Sequence, residues 1–193
     1  MEKPAVTDHP IHSLLAARWS PVAFSEAPVA EEDLAACFEA ARWTASCFNA
    51  QPWAFVVATA DDAERHAAFV ECLVPKNQEW AAAAPVIFFA VALTRFSYND
   101  QPNRWASYDV GAAVSTLAVE ATARGLVLHQ MGGFDGEAVR KVCGLPEHTE
   151  VMAAVALGHP GSLEGLSEAL QARQQGARSR KPQADFVFRG RWG

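Results

Sequence analysis

Two uninterrupted apolar runs constrain the fold of this chain most strongly. Residues 53–60 read WAFVVATA and residues 85–93 read PVIFFAVAL. Both runs are far shorter than the roughly 20 residues that a membrane-spanning helix requires. Each is expected to form a buried strand, because a strand covered on both faces has an almost continuous apolar sequence. Shorter apolar runs at residues 126–130 and 151–157 predict two further strands.

Segments with helical character alternate with these strands. The spacing of apolar residues predicts helices over 11–17 and 31–43, and an Ala- and Leu-rich helix over 107–124 that Gly125 ends. Asp61 with Glu64 predicts the capped start of a helix after the first strand. Asp135 is the expected N-cap of a helix that reaches Cys143 and that Gly144 ends. The alternation predicts an α+β or α/β layered domain.

Composition narrows the class of protein. A chain of 193 residues that is half hydrophobic is expected to form a single domain over residues 1–193. Its net charge of −6 argues against a nucleic-acid partner. No leader and no membrane segment are recognisable, so a cytoplasmic protein without membrane contact is expected. The scattered cysteines lack metal-ligand or disulfide spacing, which predicts no metal site; they are Cys37, Cys47, Cys72 and Cys143.

The C-terminal part of the chain has a different charge balance. Residues 173–193 contain six Lys and Arg residues and one acid, Asp185. A basic tail on an acidic body suggests a small anion or a partner subunit as its target. Residues 181–188 lack helical spacing and have no hairpin partner, so about residues 181–193 are expected to extend onto the sheet edge of a partner subunit.

Several short motifs follow one another in a fixed order. They read RWSP (18–21), SCFNAQPW (46–53), NQEW (77–80), YDVG (108–111), HQMGGFD (129–135), LG (157–158) and RSRKP (178–182). In this combination the chain resembles the nitroreductase family over most of its length. The resemblance implies a three-layer α/β/α sandwich with a central mixed, mainly antiparallel sheet. It also implies a homodimer with a swapped C-terminal tail.

The resemblance further implies an FMN-dependent oxidoreductase. Hydride would pass from NAD(P)H through flavin N5 to a small organic acceptor, such as a nitroaromatic or a quinone, by a ping-pong mechanism. The absence of a recognisable acid–base triad agrees with a cofactor that performs the chemistry itself. Reduction of free flavin, enals or semialdehydes remains open, as do a flavin-storage or flavin-sensing protein with little turnover and a cofactor-free interaction domain.

Three arginines match the family positions that hold the FMN phosphate: Arg18, Arg178 and Arg180. Guanidinium groups offer paired donors to phosphate oxygens, although a single arginine outside such a motif is usually a solvated surface residue. Ser20 offers a hydroxyl to the phosphate or to the ribityl chain.

The flavin ring is expected near other motifs. Ser46 and Asn49 would come from the second subunit, so that FMN lies at the interface; alternatively they form only a left-handed turn after a helix. Asn77 matches the contact with the pyrimidine side, or is a helix C-cap. Gly132 and Gly133 would bring backbone N–H groups to N5 or O4, or form an ordinary turn.

The predicted site residues fall into two sets. The predicted cofactor-binding residues are Arg18, Trp19, Ser20, Val22, Ser46, Cys47, Asn49, Asn77, Gln130, Met131, Gly132, Gly133, Arg178 and Arg180. The predicted substrate-pocket residues are Phe48, Trp80 and Phe134, with a contribution from residues 95–105.

Two positions and one segment depart from the family pattern. Val22 and Trp80 stand where relatives carry cations near the flavin, which predicts a midpoint potential lower than in a Val22→Arg variant. The link between residues 93 and 107 is short where larger relatives insert a helical excursion, which predicts a more open acceptor site.

Overall fold

The computed structural model describes residues 2–193. Its helices are α1 (Ser13–Ala17), α2 (Glu31–Arg42), α3 (Ala63–Glu71), α4 (Pro75–Ala81), α5 (Ala106–Ala123), α6 (Gly136–Cys143) and α7 (Glu168–Gln175). Its strands are β1 (Trp53–Thr59), β2 (Val86–Leu93), β3 (Val127–Met131) and β4 (Thr149–Gly158). All four predicted strands are present, and their bounds differ from the predicted ones by no more than two residues.

The four strands form one sheet with the order β1-β2-β4-β3. Strands β2 and β4 are central, whereas β1 and β3 lie at the edges. All three pairings are antiparallel. The α+β class is therefore confirmed, but residues 2–193 contribute no parallel strand of their own to the expected mixed sheet.

Strand β2 connects two hydrophobic cores. Val86, Phe88 and Ala90 pack on one face, in the core that contains α2 and α5. Ile87 and Phe89 point to the opposite face, in the core beneath α3, α4, α6 and α7. Burial of a Phe side chain stabilises the folded state by roughly 1.5–3 kcal/mol. This alternation produces the predicted three layers, with helices on both faces of the sheet.

Helices α4 and α7 were not predicted from the sequence. Pro75 occupies the first turn of α4, where a missing N–H is tolerated. Ser167 caps α7 by accepting a hydrogen bond from the Leu170 amide at 3.4 Å. The start of α4 also excludes the C-cap alternative for Asn77, since this residue lies in the first turn of that helix.

The helix caps agree with the sequence with one exception. Asp135 Oδ1 accepts hydrogen bonds from the Glu137 and Ala138 amides at 3.0 and 3.1 Å, as expected of an N-cap. Gly144 ends α6 with a left-handed φ of 61°. The predicted cap Asp61 is wrong by one position, because it is the Asp62 side chain that accepts from an amide of the first turn of α3.

The C-terminal segment is not the extended strand that its sequence predicts. A single 3-10 turn spans Gln183–Asp185, and no strand follows it in the described chain. Pro182 precedes this turn, and its carbonyl accepts a hydrogen bond from the Asp185 amide at 3.1 Å. The side chains of Phe186 and Trp192 remain exposed. Extension of the tail onto a partner subunit stays a prediction.

The remaining sequence predictions concern disulfides, metal sites and membrane-spanning helices. All four cysteines are free thiols. Within residues 2–193, no group of three or more His, Cys, Asp or Glu side chains is arranged to hold a metal ion. The helices of this part of the chain are too short or too polar to cross a membrane.

Replacement of Asp135 tests the cap of α6. Asp135→Ala removes the acceptor of two amide hydrogen bonds and is expected to lower the free energy of unfolding by about 1 kcal/mol. Asp61→Ala removes the same charge without a hydrogen bond and is expected to leave stability unchanged. Urea denaturation of both variants measures the difference. Equal stability of the two would contradict the capping role.

Candidate functional site

The loop that follows α1 carries the first group of predicted site residues. Arg18 ends α1, and its Nη1 donates to Ser20 Oγ at 3.4 Å. The guanidinium is half buried, and its pKa is lowered by burial and then by the neighbouring cations Arg178 and Arg180. Arg18 therefore lies close to Arg178 and Arg180, from which about 160 residues separate it in the sequence.

Arg178, which is distant in sequence, donates hydrogen bonds to the backbone around this loop. Its Nη1 donates to the carbonyl oxygens of Lys3 and Ala16, at 2.5 and 2.9 Å. Its Nη2 donates to the Arg18 carbonyl at 2.9 Å. Three of the five N–H donors of the guanidinium are thus used on the backbone. Arg178 holds Arg18 in place and keeps only part of its hydrogen-bonding capacity for a ligand.

The arginines open onto a cavity of about 330 Å³. Arg18, Arg178, Arg180 and Lys181 line it together with one carboxylate, Asp8, and several apolar side chains. None of these four cations forms an ion pair with a carboxylate of residues 2–193. Four cations and one carboxylate leave the cavity with an excess of positive charge, which favours an anion, and guanidinium groups suit phosphate in particular.

The segment between α2 and β1 forms a second group. Phe48 and Asn49 have left-handed φ angles of 53° and 54°. Asn tolerates this region, whereas for an aromatic residue it is strained by roughly 1–2 kcal/mol. Ser46 Oγ accepts a hydrogen bond from the Gln51 amide at 2.9 Å. The left-handed conformation considered from the sequence is thus present at Asn49 but not at Ser46, whose backbone is extended, and Phe48 is 79% exposed.

Asp109 holds this segment and was missing from the predicted site. Its Oδ2 accepts a hydrogen bond from the Cys47 amide at 3.1 Å, and the residue is only 3% exposed. It lies in the first turn of α5, where the helix dipole favours a carboxylate. The YDVG motif was the available signal, but the partner of its carboxylate lies 62 residues away.

The end of β3 carries the two glycines, which differ in their surroundings. A Cβ on Gly133 would lie 2.8 Å from Asn77 Nδ2 and 2.8 Å from Val74 Cγ2. Asn77 Nδ2 also donates to the Gly133 carbonyl at 3.0 Å. Close packing against α4 therefore explains why position 133 is a glycine. A Cβ on Gly132 would meet nothing within 4 Å. No contact within residues 2–193 requires a glycine at position 132.

Some predicted site residues belong to the core. Val22 is 2% exposed and Trp80 is 1% exposed, and both lie with Met131 in the core beneath α4 and α7. Phe134 is half buried against the same core. Trp80 therefore offers no surface to a substrate in this chain. An arginine at position 22 would be buried among apolar side chains, which makes the Val22→Arg comparison unsuitable as a measure of flavin potential.

The remaining predicted residues lie on or near the surface. Lys3 Nζ lies 4.8 Å from the centroid of the half-buried Trp19 ring. Gln130 is exposed at the edge strand β3. The exposed Phe48 ring meets Phe96 edge to face at a centroid distance of 6.2 Å. The predicted residues thus form three groups: the arginine cavity, the end of β3 with α4, and the segment anchored by Asp109.

Comparisons with known proteins agree with this architecture. The model of the nitroreductase family matches residues 15–159. A crystal structure described as an oxidoreductase containing FMN is 34% identical, covers 97% of this chain and 96% of its own, and superposes with a TM-score of 0.92.

Two protein sequences are also similar to this chain. An uncharacterized 15.4 kDa protein of Mycolicibacterium smegmatis is 34% identical over 134 residues, which are 69% of this chain and 89% of that protein. A protein of Thermus thermophilus named NADH dehydrogenase is 33% identical over 160 residues, with 69% of this chain and 78% of that protein covered. By the family match and by these identities, the chain belongs to the nitroreductase family.

Proposed function

We propose that this protein is an FMN-dependent oxidoreductase that uses NAD(P)H to reduce a small organic acceptor. The observation that carries the proposal is the cavity in which Arg18, Arg178, Arg180 and Lys181 converge without ion-pair partners. A dianionic phosphate supplies the missing negative charge. The crystal structure with 34% identity is described as containing FMN, which supports the choice of cofactor.

The residues at the end of β3 fit a flat ring. Gly132 has no side chain, and the space that a Cβ would occupy is open, so a planar group can approach the backbone closely there. The Asn77 amide fixes the neighbouring Gly133 carbonyl and thereby the direction of this turn. An N–H group aimed at the flavin would stabilise the charge that develops on reduction.

Each group of residues then has a defined task. Arg18, Arg180 and Ser20 would receive the phosphate, while Arg178 keeps Arg18 in position through its three backbone hydrogen bonds. When bound, FMN would supply the redox chemistry, namely hydride transfer between NAD(P)H and the acceptor through N5, and both substrates would use one site in turn. The protein would bind and orient the reactants around it.

A homodimer with FMN at the interface is part of the proposal. The strained Phe48–Asn49 turn would contact the flavin held by the second subunit, because sparsely populated backbone conformations are retained at functional sites. Trp43 lies shortly before this turn in the sequence, and Tyr108 precedes Asp109, whose carboxylate accepts from the Cys47 amide; they are 76% and 77% exposed. Aromatic side chains of this kind are enriched at subunit interfaces. The tail beyond Lys181 would cover the partner.

The acceptor is proposed to be a flat molecule such as a nitroaromatic or a quinone. Phe48, Phe96 and Tyr98 form a row of rings with centroid distances of 6.2 and 5.2 Å. Only residues 94–105 separate β2 from α5, and this link contains no helix; the Phe48 and Tyr98 side chains remain exposed. An exposed aromatic surface stacks well with planar molecules.

Purification provides the first test. The protein is expected to be yellow with a flavin spectrum, to release FMN on denaturation, and to consume NADH or NADPH steadily in the presence of a quinone or nitroaromatic. A yellow protein that consumes no NAD(P)H would point instead to flavin storage or sensing. Colourless protein that cannot be reconstituted with FMN would refute the proposal.

The two glycines give a matched pair of variants. Gly132→Ala is expected to leave the thermal midpoint unchanged and to weaken FMN binding by about tenfold, or about 1.4 kcal/mol. Gly133→Ala is expected to destabilise the fold by roughly 1–3 kcal/mol, because its Cβ would overlap Asn77 and Val74. Flavin fluorescence titration and thermal denaturation measure the two effects. Unchanged FMN affinity in Gly132→Ala would contradict the approach of the ring at this glycine.

The role of Arg18 is tested with two ligands that differ by the phosphate. Wild-type protein is expected to bind FMN more tightly than riboflavin. In Arg18→Gln the preference for FMN should fall by roughly 10- to 100-fold, the worth of one charged hydrogen bond. Arg65→Gln, which removes an exposed arginine from α3, serves as the control. An equal preference in wild type and Arg18→Gln would remove Arg18 from the phosphate site.

A further inference from the structure

A buried histidine lies directly behind the Arg18 loop. His129 is on the edge strand β3 and is 8% exposed. Its Nδ1 lies 2.6 Å from the Pro21 carbonyl oxygen, between Ser20 and Val22. Its ring packs on the Trp80 indole with a centroid distance of 4.5 Å. The histidine therefore connects the core to the backbone of the loop.

The second ring nitrogen contacts helix α7. Arg173 Nη2 lies 3.3 Å from His129 Nε2, and the guanidinium carbon lies 5.8 Å from the centre of the Trp80 ring. Arg173 makes no ion pair with a carboxylate of the described residues. Its contacts in this region are thus the imidazole and the indole face.

These two contacts select one form of the imidazole. A carbonyl oxygen can only accept, so Nδ1 must carry the proton that points at Pro21. The guanidinium can only donate, so Nε2 must present its lone pair to Arg173. Both contacts are satisfied together only by the neutral Nδ1–H tautomer.

The next residue of α7 holds the same loop. Gln174 Oε1 accepts a hydrogen bond from the Val22 amide at 2.8 Å. The Gln174 carbonyl in turn accepts from Lys3 Nζ at 2.7 Å. Gln174 thus binds the Val22 N–H directly, whereas Arg173 reaches the Pro21 carbonyl through His129. These N–H and C=O groups belong to the same peptide unit.

We propose that Arg173 and His129 form a positioning relay that fixes the backbone of residues 20–22, and thereby the Arg18 and Ser20 groups that receive the FMN phosphate. The second half of this statement rests on the proposed function. Neither residue touches the cofactor in this scheme. Both act through the loop.

The relay predicts that the order of the loop at residues 20–22 depends on pH. The charged groups that face the imidazole are both cations, Arg173 from α7 and Arg18 from the loop, and burial together with these charges lowers the pKa of His129. A histidine with a lowered pKa stabilises the folded arrangement in its neutral form, and this contribution declines as pH falls below the ordinary value of about 6.5. Protonation of Nε2 would oppose the Arg173 N–H. The loop is therefore expected to loosen in acid.

Four variants separate the relay from ordinary packing. His129→Leu and Arg173→Met remove the hydrogen bonds and keep most of the volume. His129→Asn retains an amide donor for Pro21, and Arg173→Lys retains a cationic donor for Nε2. Hydrogen exchange at the Val22 amide is measured by NMR in protein without FMN, and the Phe88 amide in central strand β2 serves as the internal reference.

The expected result is specific to the loop. Exchange at Val22 should rise by about tenfold in His129→Leu and Arg173→Met, in keeping with the loss of a hydrogen bond to a charged or buried group. It should stay near the wild-type rate in His129→Asn and Arg173→Lys. Unchanged exchange at Val22, or an equal rise at Phe88, would overturn the relay.

Flavin binding links the relay to function. The dissociation constant of FMN should increase by about tenfold in the same two variants and recover in the conservative ones. Between pH 7 and 5 it should rise more steeply in wild type than in His129→Asn, since the titration of the FMN phosphate is common to both. Equal steepness would overturn the pH dependence. If no variant and no wild type binds FMN, the proposed function fails, while the exchange at Val22 still decides the relay.

Discussion

The burial of strand β2 on both faces is the constraint on which the other elements depend. Phe88 and Phe89 are neighbours in sequence, but they belong to different cores on opposite sides of the sheet. A single helical layer would leave one of them in water. The chain therefore supplies α2 and α5 for one face and α3, α4, α6 and α7 for the other, and the loops that carry the candidate site run around the edges of this sandwich.

The two ends of the chain form the arginine cavity jointly. Lys3 donates to the carbonyl of Gln174, and Arg178 donates to the carbonyls of Lys3, Ala16 and Arg18. Backbone carbonyls are good partners for buried or half-buried cations because they accept without neutralising the charge. The Arg178 guanidinium is thus held without a counter-charge, so the cavity keeps its net positive charge, which an ion pair with a carboxylate would cancel.

The sequence was most informative where a residue type has one dominant physical role. Apolar runs located the four strands, Asp135 located a cap, and the arginine motifs located residues that meet in one cavity. It was least informative where burial decides the role. Val22 and Trp80 stand at motif positions, yet their side chains point into the core, because the direction of a side chain depends on packing against α7, a helix that the sequence pattern did not reveal.

Long-range partners were the other limit of the sequence. Asp109 and Cys47 lie in separate motifs, and nothing in either motif indicates a hydrogen bond between them. The same holds for His129, which is enclosed by Pro21 from the loop, Trp80 from α4 and Arg173 from α7. The difference between Gly132 and Gly133 likewise appears only when α4 is in place.

The hydrogen bonds of Arg178 also determine when the site can form during synthesis. They join residues more than 150 positions apart, so the arginine cavity cannot close before Arg178 has been synthesised. Contacts of such long sequence separation form late, after the local helices. A ligand that needs Arg18 and Arg180 together therefore binds only after the parts of the sequence that contain both residues have been made and have come together.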